Sequence, residues 1–589
     1  MTFSFFLCIF CARAQSLPPG MTADSLHAPW YHGVASGDPL PGGVIIWSRI
    51  TPAPGNYDPY DVQWAMYSDS LLTAPVQSGT VQTDSSRDWT VKVDVSGLQP
   101  DRVYYYSFAD TAGNRSATGR TRTAPSGNVQ QLRFAVFSCS SIYSGYFNAY
   151  ARIAEKSATL NAAIHLGDYL YDFVDDQEQI RVPSPFPVEP QNLEEWRDRH
   201  EYYLLDPDLR RARQSLPWIV IWDNHDMKCS GSSGTCDTSA VRAFMEWLPV
   251  REPDPSDPSK IYRSFSFGGL ADIFMTDVLV HRNKDLLPGG AYNMLGSLQY
   301  SWLKQQLSQS QARWKIMGNQ RMMGGWYTNG IPQWLLDMVP NEGAVFDYGS
   351  WDGFPETRDS LFSFLASGSI DNFIALSGDA HVSITQDLTT DPFSTGTYDP
   401  ATGNGSAGVE FLPTSISRGN LDESGAPPEL ADALNQMDLN ANPQHRYADL
   451  FRHGYGIIDL RPDSALAEFW YSDILSPAAA DTLAKTMIVL NGENHWKRGQ
   501  TTGLEKLSEN MWIVYPNPTD GEVNIAGEGL AQQELIKVYN MLGELVAAFK
   551  ASPVAGRITI DMASLRPGIY LVEGSSILRP LRVVLSSEY

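Results

Sequence analysis

The sequence predicts an α/β core carried between two β-sandwiches, and three observations lead to that reading. Short alternating segments fill residues 28–125, buried apolar runs alternate with helical stretches over 131–490, and β-type patterning returns over 508–589. With 589 residues the chain has room for several domains of ordinary size.

In the first region, VIIWSRI, VQWAMYS, WTVKVDV and VYYYSFA are separated by turns rich in Gly, Pro, Asp and Asn. That spacing is the pattern of an immunoglobulin- or fibronectin-like sandwich. After the linker TAPSGNVQQ the grammar changes. RFAVF (133–137), AAIHL (162–166), WIVIW (218–222) and FIAL (373–376) read as buried strands, and each runs directly into polar residues. Between them, SGYFNAYARIAEKS and NLEEWRDRHEYYLLDPDLRRARQS carry apolar spacing closer to a helix. Open α/β sheets bind ligands just beyond the carboxyl ends of their strands, where these polar clusters lie. The last region (VYPNPTDGEVNI, LIKVYNMLGELV, RITIDMASLRPGIYLVE) reads as a small separate sandwich.

Residues 1–14 contain the apolar run FSFFLCIF followed by Ala12-Arg13-Ala14, the pattern of a signal peptide and its cleavage site, so export is expected. No other segment approaches the roughly 18 apolar residues of a transmembrane helix. Acidic residues (67) outnumber basic ones (43), for a formal charge of -24. A field of that sign opposes nucleic acid as a stable partner and adsorption to anionic lipid. Of five cysteines, Cys8 and Cys11 leave with the signal peptide. Cys229 and Cys236, spanning a Gly/Ser turn, suit a small-loop disulfide in an oxidising compartment. Cys139 is then the odd thiol, for which metal ligation is an explanation.

Four strand-end turns carry the candidate chemistry. Gly167-Asp168-Tyr169-Leu170-Tyr171 follows AAIHL. Asp168 offers a carboxylate able to bridge two cations, and Tyr171 can return over the same site as a phenolate on a strongly acidic metal. Asp223-Asn224-His225-Asp226 follows WIVIW; an Asn carbonyl is a hard oxygen ligand, and a neighbouring His can protonate a leaving alkoxide. Ser377-Gly378-Asp379-Ala380-His381 follows FIAL and offers a carboxylate and an imidazole one residue apart. Ser138-Cys139-Ser140 follows RFAVF, and Cys139 as thiolate is a soft anionic ligand.

Taken singly, each of these is a weak signal: an Asp in a turn is usually a cap, and a buried Cys usually a small apolar residue. Their joint placement at strand ends is what points to a multinuclear cation site. Such a site neutralises phosphoryl oxygens and makes a hydroxide near neutral pH, so metal-dependent phosphoester hydrolysis is the expected reaction. Arg358 and Asn319 are weaker phosphate-contact candidates, Arg358 reading more simply as an ion-paired residue beside Asp352 and Glu356. His165, inside its strand, reads as a packed residue.

The segments HGVASGDPLPGGVIIWSRITP (32–52), FSCSSIYSGYFNAY, HLGDYLYDF, WDNHD, WLKQQLSQSQARWKIMGNQ, WDGFPETR and LSGDAHVS, in that order, resemble the PhoD-like alkaline phosphatases. These are calcineurin-like metallophosphoesterases related in their site to purple acid phosphatases. The resemblance implies a layered core of two sheets flanked by helices, a site holding Fe(III) and Ca(II), and hydrolysis of phosphate mono- and diesters. By that resemblance Cys139, Asp168, Tyr171 and His381 surround the iron, with Asp168 shared. Asn224 and Asp379, with Asp223, hold the calcium, and His225 is the catalytic imidazole. Two stretches depart from the family's pattern: Asp223-Asn224-His225-Asp226 stands where DDHE is usual, and Thr276-Asp277-Val278-Leu279 where LDTR is usual.

The terminal module, with YPNP at 515–518, resembles the C-terminal sorting domain of the type IX secretion system, which implies that machinery as a partner and a secreted or surface location. Two rival readings remain: a phosphodiesterase restricted to phospholipid or polymer headgroups, and a non-catalytic surface protein used for adhesion.

Overall fold

The computed structural model describes residues 17–18, 20–230, 235–282, 292–331, 333–336, 341–421 and 430–498, and then 513–515, 521–526, 534–540, 545–553, 557–574 and 577–585. The expected signal peptide lies outside them. The chain divides into two compact units, Met1–Gly499 and Gln500–Tyr589.

The first unit is organised by two large sheets. The centre of the first is parallel: Leu132–Phe137 pairs with Ala162–His165, which pairs with Pro217–Val220. All three strands are buried nearly throughout, which is why they read as continuous apolar runs. On one side the sheet continues antiparallel through Gly454–Leu460, Ser464–Ser472, Asp481–Leu490 and the short Lys497–Arg498. On the other, Pro217–Val220 pairs in parallel with Val34–Leu40, through Ser36 opposite Pro217 and Gly37 opposite Trp218. Gly43–Arg49 and Thr90–Ser96 then complete a ten-stranded sheet.

Val34–Leu40, Gly43–Arg49 and Thr90–Ser96 therefore belong to the same sheet as the core strands. They also face a four-stranded sheet that includes Tyr60–Tyr67 and Val103–Ala109, enclosing Val44, Ile46, Val62, Met66, Tyr106 and Phe108. This is the N-terminal sandwich, sharing one of its leaves with the core.

The second large sheet has seven strands. Ala271–Met275, Trp314–Gly318, Phe373–Leu376 and Gly408–Leu412 are parallel in that order. One core joins the two sheets, with Phe134, Ile164 and Ile219 of the first meeting Phe265, Ile316 and Ile374 of the second. Phe134 and Phe267 pack edge to face at 4.9 Å.

Helices cover the outer faces. Asn148–Lys156 lies within the first expected helical stretch, and the charged stretch at 192–215 forms two helices, Leu193–Tyr203 and Pro207–Ser215. The break has a local cause: Asp206 Oδ1 accepts from the N–H groups of Asp208 and Leu209, both at 2.9 Å, and Pro207 sits at the first helical position. Cys229 and Cys236 are disulfide-bonded, and Cys139 is a free, buried thiol. Among the described residues no helix is long and apolar enough to cross a membrane.

In the second unit, Ile513–Tyr515, Glu522–Ala526 and Arg557–Asp561 form one sheet and Glu534–Asn540, Leu545–Ala551, Gly568–Gly574 and Ile577–Leu585 another. Val523, Ile525, Ile536, Val538, Ile558 and Val572 fill the space between, making a second β-sandwich.

Candidate metal centre

Leu132–Phe137 and Phe373–Leu376 end directly before their polar residues, whereas Ala162–His165 stops one residue and Pro217–Val220 two residues earlier than expected, leaving Leu166, Ile221 and Trp222 in the turns. The turns that follow stack on one another. Cys139 N–H donates to the Gly167 carbonyl at 3.1 Å and Ser140 N–H to the Asp168 carbonyl at 2.9 Å. Gly378 N–H donates to the Gln320 carbonyl at 3.0 Å, bringing in a fifth turn, the one after Trp314–Gly318. The stacking leaves no room for a side chain at Gly167, where φ is +110° and a Cβ would lie 2.6 Å from that of Asp223. Cys139, Asp168, Asp379 and His381 all sit in the left-handed backbone region, with φ of 58°, 54°, 69° and 58°. These tight reversals aim three of the turns into one cleft.

There the side chains form two overlapping groups. Ligand atoms of Cys139, Asp168 and His381 lie within 4.8 Å of one another, as do those of Asp168, Asp223 and Asp379. Asp168 belongs to both. Its Oδ2 accepts from the Cys139 thiol at 3.7 Å and from the Tyr171 hydroxyl at 3.2 Å, and Tyr171 Oη lies 3.2 Å from His381 Nε2. His381 Nδ1 is 3.0 Å from the Gly419 carbonyl, which fixes the ring with Nε2 toward the group. All eight residues singled out from the sequence, Cys139, Asp168, Tyr171, Asp223, Asn224, His225, Asp379 and His381, converge here.

His225 packs against the Tyr171 ring, centroids 4.1 Å apart, and its N–H donates to Asp168 Oδ1 at 3.1 Å. Its Nδ1 is 2.9 Å from Asp172 Oδ1. Beneath the site, buried Asp226 accepts from the N–H groups of Tyr169, Leu170 and Asp223 at 3.2, 3.1 and 3.0 Å, tying the second turn to the third.

Packing so many acids out of water raises their proton affinity. Burial, with help from Asp168 and Asp379, pushes the Cys139 thiol well up, and burial does the same to the Tyr171 phenol, with Cys139 and Asp168 adding to it. Burial pushes Asp379 up to about 7 and Asp223 to about 6, against the pull of Arg321. Burial also works against a charged His225, but Asp168 and Asp172 outweigh it and its pKa is raised. Burial, reinforced by Arg418, holds His381 well below its ordinary value, so it is a neutral imidazole suited to ligation. Asp223 Oδ2 is buried without a hydrogen-bond donor in good alignment. A buried donor set so crowded with acids fits cations.

Three residues at the site gave no signal in the sequence reading. Arg321, in the turn after Trp314–Gly318, reaches Asp379 Oδ2 and Asn224 Oδ1, both at 2.7 Å. Arg418 lies 5.1 Å over the Tyr171 ring and pairs with Glu178. Asp172 is the His225 partner just described. Arg321 also ends a buried strand in a polar turn, so the strand-end rule would have reached it. Of the weaker candidates, Arg358 is ion-paired to Asp352 at 2.7 Å and also meets Asp359 at 3.4 Å, and buried Asn319 bonds Ser377 and Trp351. His165 is packed against Phe137 and Trp218 and accepts from Gly167 N–H at 3.2 Å.

Beside the centre opens a cavity of about 850 Å³, with Arg321, Asp379 and His381 on one wall and Met322, Trp326 and Phe346 among its apolar lining.

Strand ends of two sheets that deliver thiol, carboxylate, phenol and imidazole to one cleft are the construction of a phosphoester hydrolase. Comparison with known proteins specifies it further. A family model described as PhoD-like phosphatase matches residues 134–469, and one for the N-terminal domain of PhoD-like phosphatases matches 13–125. The chain belongs to the PhoD-like phosphatase family. Alkaline phosphatase D of Bacillus subtilis (strain 168) is 28% identical over 517 residues, 82% of this chain and 82% of that protein. A solved structure of PhoD superposes with a TM-score of 0.69 at 26% identity, covering 81% of this chain and 93% of that one. A model described as a secretion system C-terminal sorting domain matches residues 513–577. The chain is thus an exported hydrolase.

Proposed function

We propose that this protein is a cation-dependent phosphoesterase, hydrolysing phosphate mono- and diesters outside the cell. The observation that carries the reading is the pair of ligand groups sharing Asp168. Cys139, Asp168, Tyr171 and His381 combine thiolate, carboxylate, phenolate and imidazole, a set suited to Fe(III). Asp168, Asp223, Asn224 and Asp379 offer oxygen alone, a set suited to Ca(II). When bound, the cations supply positive charge to the phosphoryl oxygens and lower the pKa of a water.

The chain's own residues do the rest. Asp172 holds His225 through Nδ1, leaving its other nitrogen to donate a proton to the departing alkoxide. The Tyr171 ring backs the imidazole and limits its rotation. We read 28–125 as the N-terminal sandwich, 131–490 as the catalytic domain and 508–589 as a type IX sorting module.

The test is hydrolysis of 4-nitrophenyl phosphate and bis(4-nitrophenyl) phosphate by purified protein, with and without Ca(II) and chelator. Chelation and Asp168→Ala should each abolish turnover, the latter by about 10³-fold or more. Full activity in either would refute the reading. The cavity favours a second emphasis within it: its apolar lining suits esters with a bulky apolar substituent, which should then show the higher kcat/KM.

A further inference from the structure

Arg321 occupies the place where the second ligand group would hold a cation. Its Nη1 donates to Asp379 Oδ2 at 2.7 Å, and its Nη2 donates to Asn224 Oδ1 at 2.7 Å and Asp223 Oδ1 at 3.3 Å. Its Nε lies 3.1 Å from Asp223 Oδ2 and Nη1 3.8 Å from Asp347. The side chain is 13% exposed. It touches every member of that group except the shared Asp168, and neither Cys139 nor His381 is among its partners.

The turn that presents it is fixed on both sides. Gln320 accepts from Gly378 N–H through its carbonyl and from Val278 N–H through its side chain. Just beyond Arg321, Met323 and Gly324 donate their N–H groups to the buried carboxylate of Glu410 at 2.7 and 2.8 Å. The guanidinium is thus delivered by an anchored backbone, not by a wandering surface side chain.

We propose that Arg321 is a resident counter-cation of the second ligand group, competing with a divalent ion for the oxygens of Asp223, Asn224 and Asp379. The inference rests on the cation-site reading above and goes further, to the relative strength of the two positions. A guanidinium and a hard cation need the same oxygens, so the ion must displace the arginine, and its affinity falls accordingly. The displaced guanidinium borders the cavity, where phosphate is its complementary anion. Ion and phosphate then bind with positive coupling, each favouring the arrangement the other needs.

The test is calorimetric titration of chelator-stripped, full-length protein with calcium chloride, comparing wild type with Arg321→Met, Arg321→Lys and Arg321→Met/Asp379→Asn, each checked for folding by circular dichroism. Removing one positive charge from contact distance should tighten calcium binding by about tenfold or more in Arg321→Met. Arg321→Lys, which keeps the charge, should stay within about threefold of wild type, and the double variant should lose the gain. Inorganic phosphate should tighten calcium binding in wild type and not in Arg321→Met. Unchanged or weaker calcium affinity in folded Arg321→Met would overturn this inference and leave the cation-site reading standing. Absence of calcium binding in all four proteins would overturn both.

Discussion

Removing the carboxylate of Asp172 isolates what the His225 orientation is worth. The two side chains meet at 2.9 Å, with His225 28% and Asp172 11% exposed. A hydrogen bond between charged partners contributes about 1.5–3 kcal/mol in the interior, and partial solvent contact places this one near the lower end. About 1.4 kcal/mol corresponds to a factor of ten, so Asp172→Ala should lower kcat/KM about tenfold. Asp172→Asn keeps an acceptor at the same place and should lose about threefold. With His225 in its proposed role on the leaving group, the loss should be larger for phenyl than for nitrophenyl esters, whose better leaving group needs less protonation. The assay is steady-state hydrolysis of both ester series, with metal content measured in the same samples. An equal loss for both leaving groups, or a loss that tracks departing metal, would show that Asp172 does not serve His225 in this way.

Three further outcomes are expected. Iron-loaded wild-type protein should show a visible charge-transfer band that Tyr171→Phe lacks, and a band of full strength in the variant would remove the phenolate from the ligand set. Thiol titration of unfolded, metal-free mature protein should find one free cysteine, Cys139, whereas three would contradict the Cys229–Cys236 pairing. Burial, with Arg213, depresses His200 to about 3, so between about pH 3 and 6.5 the unfolded chain takes up a proton that the native chain refuses. Stability is therefore lost as pH falls through that window, at up to about 1.4 kcal/mol per pH unit from this residue. His200→Phe keeps the stack on Trp247 and should show the shallower acid dependence in urea unfolding; parallel curves would refute the assignment.

The four core strands were legible because each is a short apolar run buried on both faces and closed by a polar turn, a contrast that survives in one dimension. The convergence of the candidate ligands was legible for the same reason, since each stands within six residues of a strand end. Partners drawn from elsewhere were not. Glu410 lies mid-strand and its role depends on meeting a turn about 87 residues away in sequence. Arg321 has a strand-end position, three residues past Trp314–Gly318, to mark it, but its partners Asp223, Asn224 and Asp379 come from other turns and are invisible in the sequence around it. Likewise the parallel pairing of Val34–Leu40 with Pro217–Val220 joins segments that local patterning assigns to different layers, and no turn signal encodes so distant a match.

The positive φ values of Cys139, Asp168, Asp379 and His381 set function against robustness within single residues. A glycine at any of them would relax the main chain, by about 1 kcal/mol on the usual scale, while deleting the donor atom that the bend exists to present. Directed evolution for heat tolerance alone would be drawn toward these four codons, and with the four side chains in their proposed roles its most thermostable survivors would be inert.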